Sequence, residues 1–346
     1  MKTETFKGQD FLTLLDWTKE EVETILEVAL DLKRRYAIGE LHNHLLPAKS
    51  LFMIFYNQSL RTRNSFEAGM TQLGGHAHFL QPGAVYTPAL KGEEVAYSTE
   101  RISDVARVLA EMGDGIAIRI YGKPTGWNYG KGNRIIREFA EWSKVPVINM
   151  EDDVYHPCQA LADVMTMQEK LGHNLQGKKF VMSWAYSGSV AKPLAVPQSA
   201  VISAATMGMD VTLAHPKGVE LDPKILDATK KRAVKNGGSF RIVHDMDEAF
   251  KDADVVYPKA WTAQPTDGKG AWDEEKAKKI FEANKDWICT TEKMALTDDA
   301  IYMHCLPADR DMEVTDEVID GPSAVIIEEA ANRLHAQKGM MALIMG

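Results

Sequence analysis

Cysteine is scarce in this chain. Its 346 residues include three, Cys158, Cys289 and Cys305, an odd number and widely spaced. Neither a disulfide framework nor a zinc knuckle is expected from such a set, and a reduced, cytoplasmic protein fits best. Long apolar runs are missing too. None approaches the roughly 18 residues a membrane span needs, and the opening MKTETFKGQD has no signal-peptide core. Neither sign of charge dominates: 40 Lys and Arg stand against 49 Asp and Glu, a formal net charge of -9. A nucleic-acid surface is therefore not expected. No G-x-G-x-x-G follows a strand. The nearest junction, Tyr186-Ser-Gly188-Ser-Val-Ala-Lys192-Pro193, has the wrong spacing, which weighs against the rival α/β reading, an NAD-dependent oxidoreductase. Low-complexity tracts and short repeats are lacking as well.

What remains is an ordinary soluble mixture, 45% apolar and 26% charged, able to bury a large core. The length suggests two domains at roughly 100–200 residues each. The first clear helix begins near Thr18, where Thr18 and Glu21 have capping-box spacing. Val22, Ile25, Leu26, Ala29 and Leu30 supply its apolar face. Strand candidates are Ser50–Tyr56, His76–Leu80, Gly115–Tyr121, Val145–Met150, Phe180–Tyr186, Asp210–His215, Phe240–His244, Asp254–Tyr257, Ile301–Cys305 and Ala324–Ile327. Helical stretches separate most of them. This alternation predicts an α/β protein with two domains, each a parallel sheet flanked by helices. A break near Met150–Lys170 divides residues 1–152, joined by a C-terminal helix over 328–346, from residues 153–327.

Four segments carry candidate chemistry. Ser59-Leu60-Arg61-Thr62-Arg63 lies where a strand runs through a polar turn into a helix. A helix start attracts anions through its unpaired N–H groups and its dipole, and arginine forks suit phosphate. A capped helix with two solvated arginines is the bland alternative. The segment His156-Pro157-Cys158-Gln159 follows three acids at another such junction. Its imidazole and amide suit a carbonyl oxygen that turns negative during attack, although a simple helix cap would look the same. Cys305 ends a buried strand before Leu306-Pro307. A contact role, through its side chain and the Leu306 carbonyl, fits better than a nucleophilic one. Arg333 and Gln337 share one face of the last helix.

Together these segments resemble the aspartate/ornithine carbamoyltransferase superfamily. Ser59 to Arg63 is similar to its Ser-x-Arg-Thr-Arg phosphate loop, His156 to Gln159 to its His-Pro-x-Gln element, and His304-Cys305-Leu306-Pro307 to the ornithine-type His-Cys-Leu-Pro. Asn332 to Lys338 is similar to its terminal arginine helix. The matches are collinear along nearly the whole chain. Trp184 to Gln198, followed by Tyr257-Pro258-Lys259-Ala260-Trp261, resembles the knotted branch with its N-acetylornithine and N-succinylornithine enzymes.

The resemblance implies carbamoyl phosphate held by Ser59, Leu60, Arg61, Thr62, Arg119, His156, Gln159, Cys305, Leu306 and Arg333. Of these, Arg61, Arg119, His156, Gln159 and Cys305 would be catalytic. It implies acceptor contacts from Lys259, Trp261 and Tyr86; where this chain departs from the pattern, Asp152, Asp309 and Glu313 are the further acceptor candidates. It also implies a trefoil knot in the second domain and a homotrimer with active sites between subunits. Neither metal nor cofactor is expected. Where N-acetylornithine enzymes carry a glutamate, this chain has Thr99; where they carry an arginine and a lysine, it has Asp309 and Glu313. Those acids suggest a second cationic group on the acceptor, or else simple salt bridges with Arg310 or Lys338. The expected function is carbamoyl transfer to the amine of an ornithine-like diamino acid or its ureido derivative, in either the biosynthetic or the catabolic direction. The alternatives are an N-acylornithine carbamoyltransferase of arginine biosynthesis and a non-catalytic carbamoyl phosphate-binding protein.

Overall fold

The computed structural model describes residues 3–266 and 271–346. The chain divides into two compact units. Unit 1 comprises Met1–Gly126, Gly130–Leu161 and Arg333–Gly346; unit 2 comprises Trp127–Tyr129 and Ala162–Asn332.

The first α-helix of unit 1 is α1 (Lys19–Ala37). The Thr18 hydroxyl accepts from the Glu21 N–H at 3.2 Å, and the Glu21 carboxylate accepts from the Thr18 N–H at 2.8 Å, a complete capping box. Its buried stripe is Val22, Ile25, Leu26, Ala29 and Leu32; Leu30, expected on that face, is only half-buried. Next come β1 (Ser50–Phe55), α2 (Leu60–Leu73), β2 (His76–Leu80), β3 (Thr87–Ala89), β4 (Thr99–Arg101) and α3 (Ile102–Met112). Then follow β5 (Gly115–Arg119), α4 (Lys131–Trp142), β6 (Val147–Glu151) and α5 (Pro157–Leu171), which continues into unit 2. Four of these strands form one parallel sheet in the order β2-β1-β5-β6. Ile54, Ile116, Ile118 and Val147 from the strands pack with Ile102, Ile136 and Phe139 from α3 and α4 as its core.

Unit 2 contains β7 (Lys179–Trp184), α6 (Ala195–Thr206), β8 (Asp210–Ala214), α7 (Pro223–Lys235), β9 (Ser239–Val243) and α8 (Met246–Phe250). It continues with β10 (Val255–Lys259), α9 (Glu274–Glu282), α10 (Thr291–Met294), β11 (Ile301–Tyr302), α11 (Asp316–Ile319) and the start of α12 (Ile326–Met345). Its parallel sheet has the order β11-β10-β7-β8-β9. Every residue of α6 is buried, as expected of a helix without a polar face. No helix among the described residues is long and apolar enough to cross a membrane.

The orders of the two sheets locate the candidate sites. Ligands bind beyond the carboxyl ends of parallel strands, where the direction of winding reverses. In unit 1 that point lies between β1 and β5; in unit 2 it lies between β7 and β10. Ser59 and Arg119 adjoin the first, Trp184 and Lys259 the second. Two sequence expectations differ from the fold. Ala324–Ile327 forms a single bridge from Ala324 to Tyr302 and then enters α12, and the Ile301–Cys305 strand shrinks to two residues. Short apolar runs fit a strand and a buried helix start equally well.

Candidate active site

In unit 1, Asn57 ties together the loops that leave β1 and β5. Its amide donates to the Tyr121 carbonyl at 3.1 Å, and its side-chain oxygen accepts from the Tyr121 N–H at 2.9 Å. Ser59 is extended and caps α2, its hydroxyl accepting from the Thr62 N–H at 3.1 Å. The helix start is thus fixed as an anion-attracting turn. The Leu60 side chain is exposed, so any ligand contact from Leu60 falls to its backbone.

Two buried arginines from different segments converge on Thr62. Arg333, fully buried on α12, donates to the Thr62 hydroxyl at 3.0 Å and to the Gln159 side-chain oxygen at 2.8 Å. Arg119 lies 3.5 Å from the same hydroxyl, donates to the Tyr121 hydroxyl at 3.0 Å and pairs with Glu151. His156 Nε2 sits 3.4 Å from Glu151. Burial, then Arg333, Arg119 and Arg61, hold the His156 imidazole well below its usual range. It is therefore neutral near physiological pH, so its contact with Glu151 is not an ion pair. The arrangement offers buried cationic forks and a neutral N–H donor, with one carboxylate to hold them. Such a set suits a doubly charged phosphate joined to a polarisable carbonyl. Arg63 belongs elsewhere: its guanidinium lies 3.6 Å over the Phe79 ring and pairs with Glu67 at 2.9 Å. Glu151 and Tyr121 had no assigned role in the sequence reading. Their signal was position, at or just beyond the carboxyl end of a strand.

The helix that carries Arg333 is anchored one turn further on. Gln337 accepts from the Ser65 hydroxyl at 2.9 Å, and the buried Lys338 ammonium donates to Gln72 at 2.9 Å. Lys338 Nζ lies 3.3 Å from His42 Nδ1 and 4.8 Å from the Tyr36 ring centre. Burial pushes the Lys338 ammonium down from an ordinary 10.5 to about 8. In that window the folded protein binds this proton less readily than the unfolded chain. The contribution to stability is complete above about pH 10.5 and is lost as pH falls to about 8. Lys338→Met should therefore flatten the rise of Tm with pH across that window, measured by thermal melts against the unchanged protein.

Unit 2 presents a different arrangement. Lys259 ends β10 and is nearly buried. Glu313 is completely enclosed. One of its oxygens accepts from the Ala260 N–H at 2.6 Å and lies 3.9 Å from Lys259 Nζ. The other accepts from the Asp309 N–H at 2.7 Å and lies 3.3 Å from His304 Nε2. Burial alone would raise this carboxyl, but Lys259, His304 and the Ala260 N–H together hold it well below the usual carboxylate range. Leu306 has a φ of 56°, and its N–H donates to His304 Nδ1 at 2.9 Å. Cys305 is buried beside it.

Several expected acceptor contacts are occupied within the protein. Trp261 is fully buried, donates to the Val219 carbonyl at 2.7 Å and accepts on its own carbonyl from Trp184 at 2.9 Å, which makes it a core residue. In unit 1, Asp152 is fully buried. It accepts from the Asn133 and Asn149 amides and from the Val154 and Tyr155 N–H groups, clamping the turn before His156. Asp309 pairs with Lys192 at 2.9 Å and accepts from the Ser187 hydroxyl. Tyr86, by contrast, is exposed.

Comparison with known proteins matches both units. Residues 9–169 match the model of the aspartate/ornithine carbamoyltransferase carbamoyl-P binding domain, and residues 184–344 that of its Asp/Orn binding domain. The chain is 41% identical to the N-acetylornithine carbamoyltransferase of Xanthomonas campestris pv. campestris over 97% of each chain. It is 42% identical to the ornithine carbamoyltransferase of Pyrococcus abyssi over 99% of this chain and 97% of that one. Among solved structures, an acetylornithine transcarbamylase complexed with acetylcitrulline superposes with a TM-score of 0.89 at 40% identity, covering 98% of this chain and 99% of that one. A variant of N-acetyl-L-ornithine transcarbamylase complexed with carbamyl phosphate and N-succinyl-L-norvaline gives 0.88 at 40% identity, covering 96% and 99%.

Proposed function

The chain belongs to the aspartate/ornithine carbamoyltransferase family, and on that premise we propose that it moves a carbamoyl group between carbamoyl phosphate and the side-chain amine of an Nα-acylated ornithine. The observation that carries the carbamoyl phosphate part is the buried cluster in which Arg333 and Arg119 meet at Thr62, with Gln159 on Arg333 and His156 beside Glu151, the partner of Arg119. In this reading the start of α2, from Ser59 to Thr62, and the Arg61 and Arg333 forks take the phosphate. Arg119, His156 and the Thr62 hydroxyl stabilise negative charge on the carbonyl oxygen. Orientation of two bound reactants supplies much of the acceleration. The leaving phosphate can take the proton from the attacking amine, so no side-chain base is needed. Cys305 and Leu306 keep the contact roles that the resemblance gives them. The same transition state serves synthesis and phosphorolysis alike.

For the acceptor, the acids that suggested a second cation do not serve that purpose. Glu313 and Asp152 are enclosed and saturated by donors, and Asp309 is paired with Lys192. That removes the reason for a free α-amine; Lys259, 3.9 Å from Glu313, keeps the contact to an acceptor carboxylate that the resemblance gives it. Relatives named for N-acetylornithine favour the acylated substrate; those named for ornithine keep the free amino acid as the second reading. An acceptor panel with carbamoyl phosphate decides between them. N-acetylornithine should exceed free ornithine in kcat/KM by at least tenfold; the reverse order would select the second reading. The homotrimer and the trefoil knot remain part of the proposal. The exposed Val85, Tyr86, Val95 and Tyr97 suit a segment covered by a neighbouring subunit. The Thr262 N–H donates to the Lys192 carbonyl at 3.0 Å, a contact between the two loops that the resemblance assigns to the knot.

A further inference from the structure

Beneath the His304-Cys305-Leu306 corner of unit 2 lies a pair of buried carboxyl groups that the proposed reaction does not use. Glu329, on the first turn of α12, is fully enclosed, and Asp163, on α5, is nearly so. Their side chains hydrogen-bond to each other. One Glu329 oxygen accepts from the His304 N–H at 2.9 Å, and the other accepts from the Tyr257 hydroxyl at 3.2 Å. Tyr257 in turn contacts Cys305. Two carboxyl groups in contact inside a protein cannot both stay ionised, so the pair holds a proton.

We propose that Glu329 is a positioning residue, a neutral acid that donates to Asp163 and accepts from the His304 N–H, and so fixes the corner that carries Cys305 and Leu306. Burial and then Asp163 push the Glu329 carboxyl well above its usual range, in keeping with this role. The corner needs such support. Leu306 sits at a φ of 56°, in the left-handed region that a branched side chain seldom adopts. Its other support is Glu313, which reaches His304 on the opposite side of the imidazole. The His304 backbone thus hangs from Glu329 and its ring from Glu313. A displacement of about an ångström at groups that orient a substrate can cost on the order of a hundredfold in rate.

The proposal rests on the carbamoyltransferase reading, and its test is chosen to separate the two. An amide can reproduce the neutral acid, giving one N–H to Asp163 and accepting from His304; a methyl cannot. Glu329→Gln and Glu329→Ala are compared with the unchanged protein in two measurements. The first is kcat and KM with carbamoyl phosphate. Glu329→Ala should lose on the order of a hundredfold in kcat, and Glu329→Gln should restore it to within about threefold. The second is the rate of Cys305 alkylation by iodoacetamide, read peptide by peptide with Cys158 and Cys289 as internal references. Cys305 labelling should rise in Glu329→Ala and stay near the unchanged rate in Glu329→Gln. Equal Cys305 labelling in all three proteins, or a glutamine variant as reactive as the alanine variant, would overturn the proposal. Absence of transfer by the unchanged protein would defeat the carbamoyltransferase reading instead, with the labelling result still deciding the role of Glu329.

Discussion

Replacing Arg333 by alanine is expected to lower kcat/KM for carbamoyl phosphate by roughly a hundredfold to a thousandfold, the cost of removing one preorganised donor from a water-excluded site. The size follows from where the side chain lies. It is buried, and its fork spans the Thr62 hydroxyl at 3.0 Å and the Gln159 oxygen at 2.8 Å. Its loss removes positive charge from the phosphate and lets Gln159 turn. Lysine should rescue little, because one ammonium cannot span two acceptors set in a fork. Folding should survive, since α12 keeps its anchors at Gln337 and Lys338. The checks are steady-state kinetics and a thermal melt. Activity within threefold of the unchanged protein would remove Arg333 from the phosphate site.

The second large effect is on stability. Glu313→Ala removes a buried carboxylate that satisfies the Ala260 and Asp309 N–H groups and lies beside Lys259 and His304. Breaking a buried pair by deleting one partner costs about 3–5 kcal/mol. For a unit of this size that corresponds to a fall in Tm of roughly 10 °C. The acid dependence has a definite sign. Because the Glu313 carboxyl is held below its ordinary 4.5, its contribution is complete above that pH and is lost as pH falls further. Glu313→Gln should lose this part of the acid sensitivity. Its amide cannot accept both backbone N–H groups, so some loss of Tm is expected near neutrality as well. An unchanged Tm in Glu313→Ala would contradict the anchoring role.

These two residues show what the sequence made legible. Arg333 was accessible to sequence reading because helical spacing sets its face and a family pattern surrounds it. The strands that shape both sheets were also visible, because parallel strands buried on both sides read as continuous apolar runs. The role of Glu313 was not legible. Its partners Lys259 and Ala260 lie some fifty residues earlier in the chain, and burial cannot be read from the identity of a charged residue. An acid in the place of a lysine suggested a ligand contact, whereas in the fold its oxygens are occupied by backbone donors. Asp152, another acceptor candidate, is likewise buried among amide and backbone donors. Trp261 lies two residues beyond a substrate-type lysine, where alternation would put both on one side; β10 ends at Lys259, however, and the indole beyond it faces the core. The short pair β3 and β4 had no periodicity long enough to detect.

The central claim is that the start of α2 and the buried arginines of unit 1 grip carbamoyl phosphate. The most direct measurement is a crystal structure of the protein with that compound bound. Phosphate oxygens should lie within hydrogen-bond distance of the Ser59–Thr62 turn, Arg61 and Arg333, with the carbonyl oxygen at Arg119 and His156. Carbamoyl phosphate bound away from these residues, with the Arg333 fork still closed on Thr62 and Gln159, would contradict that claim.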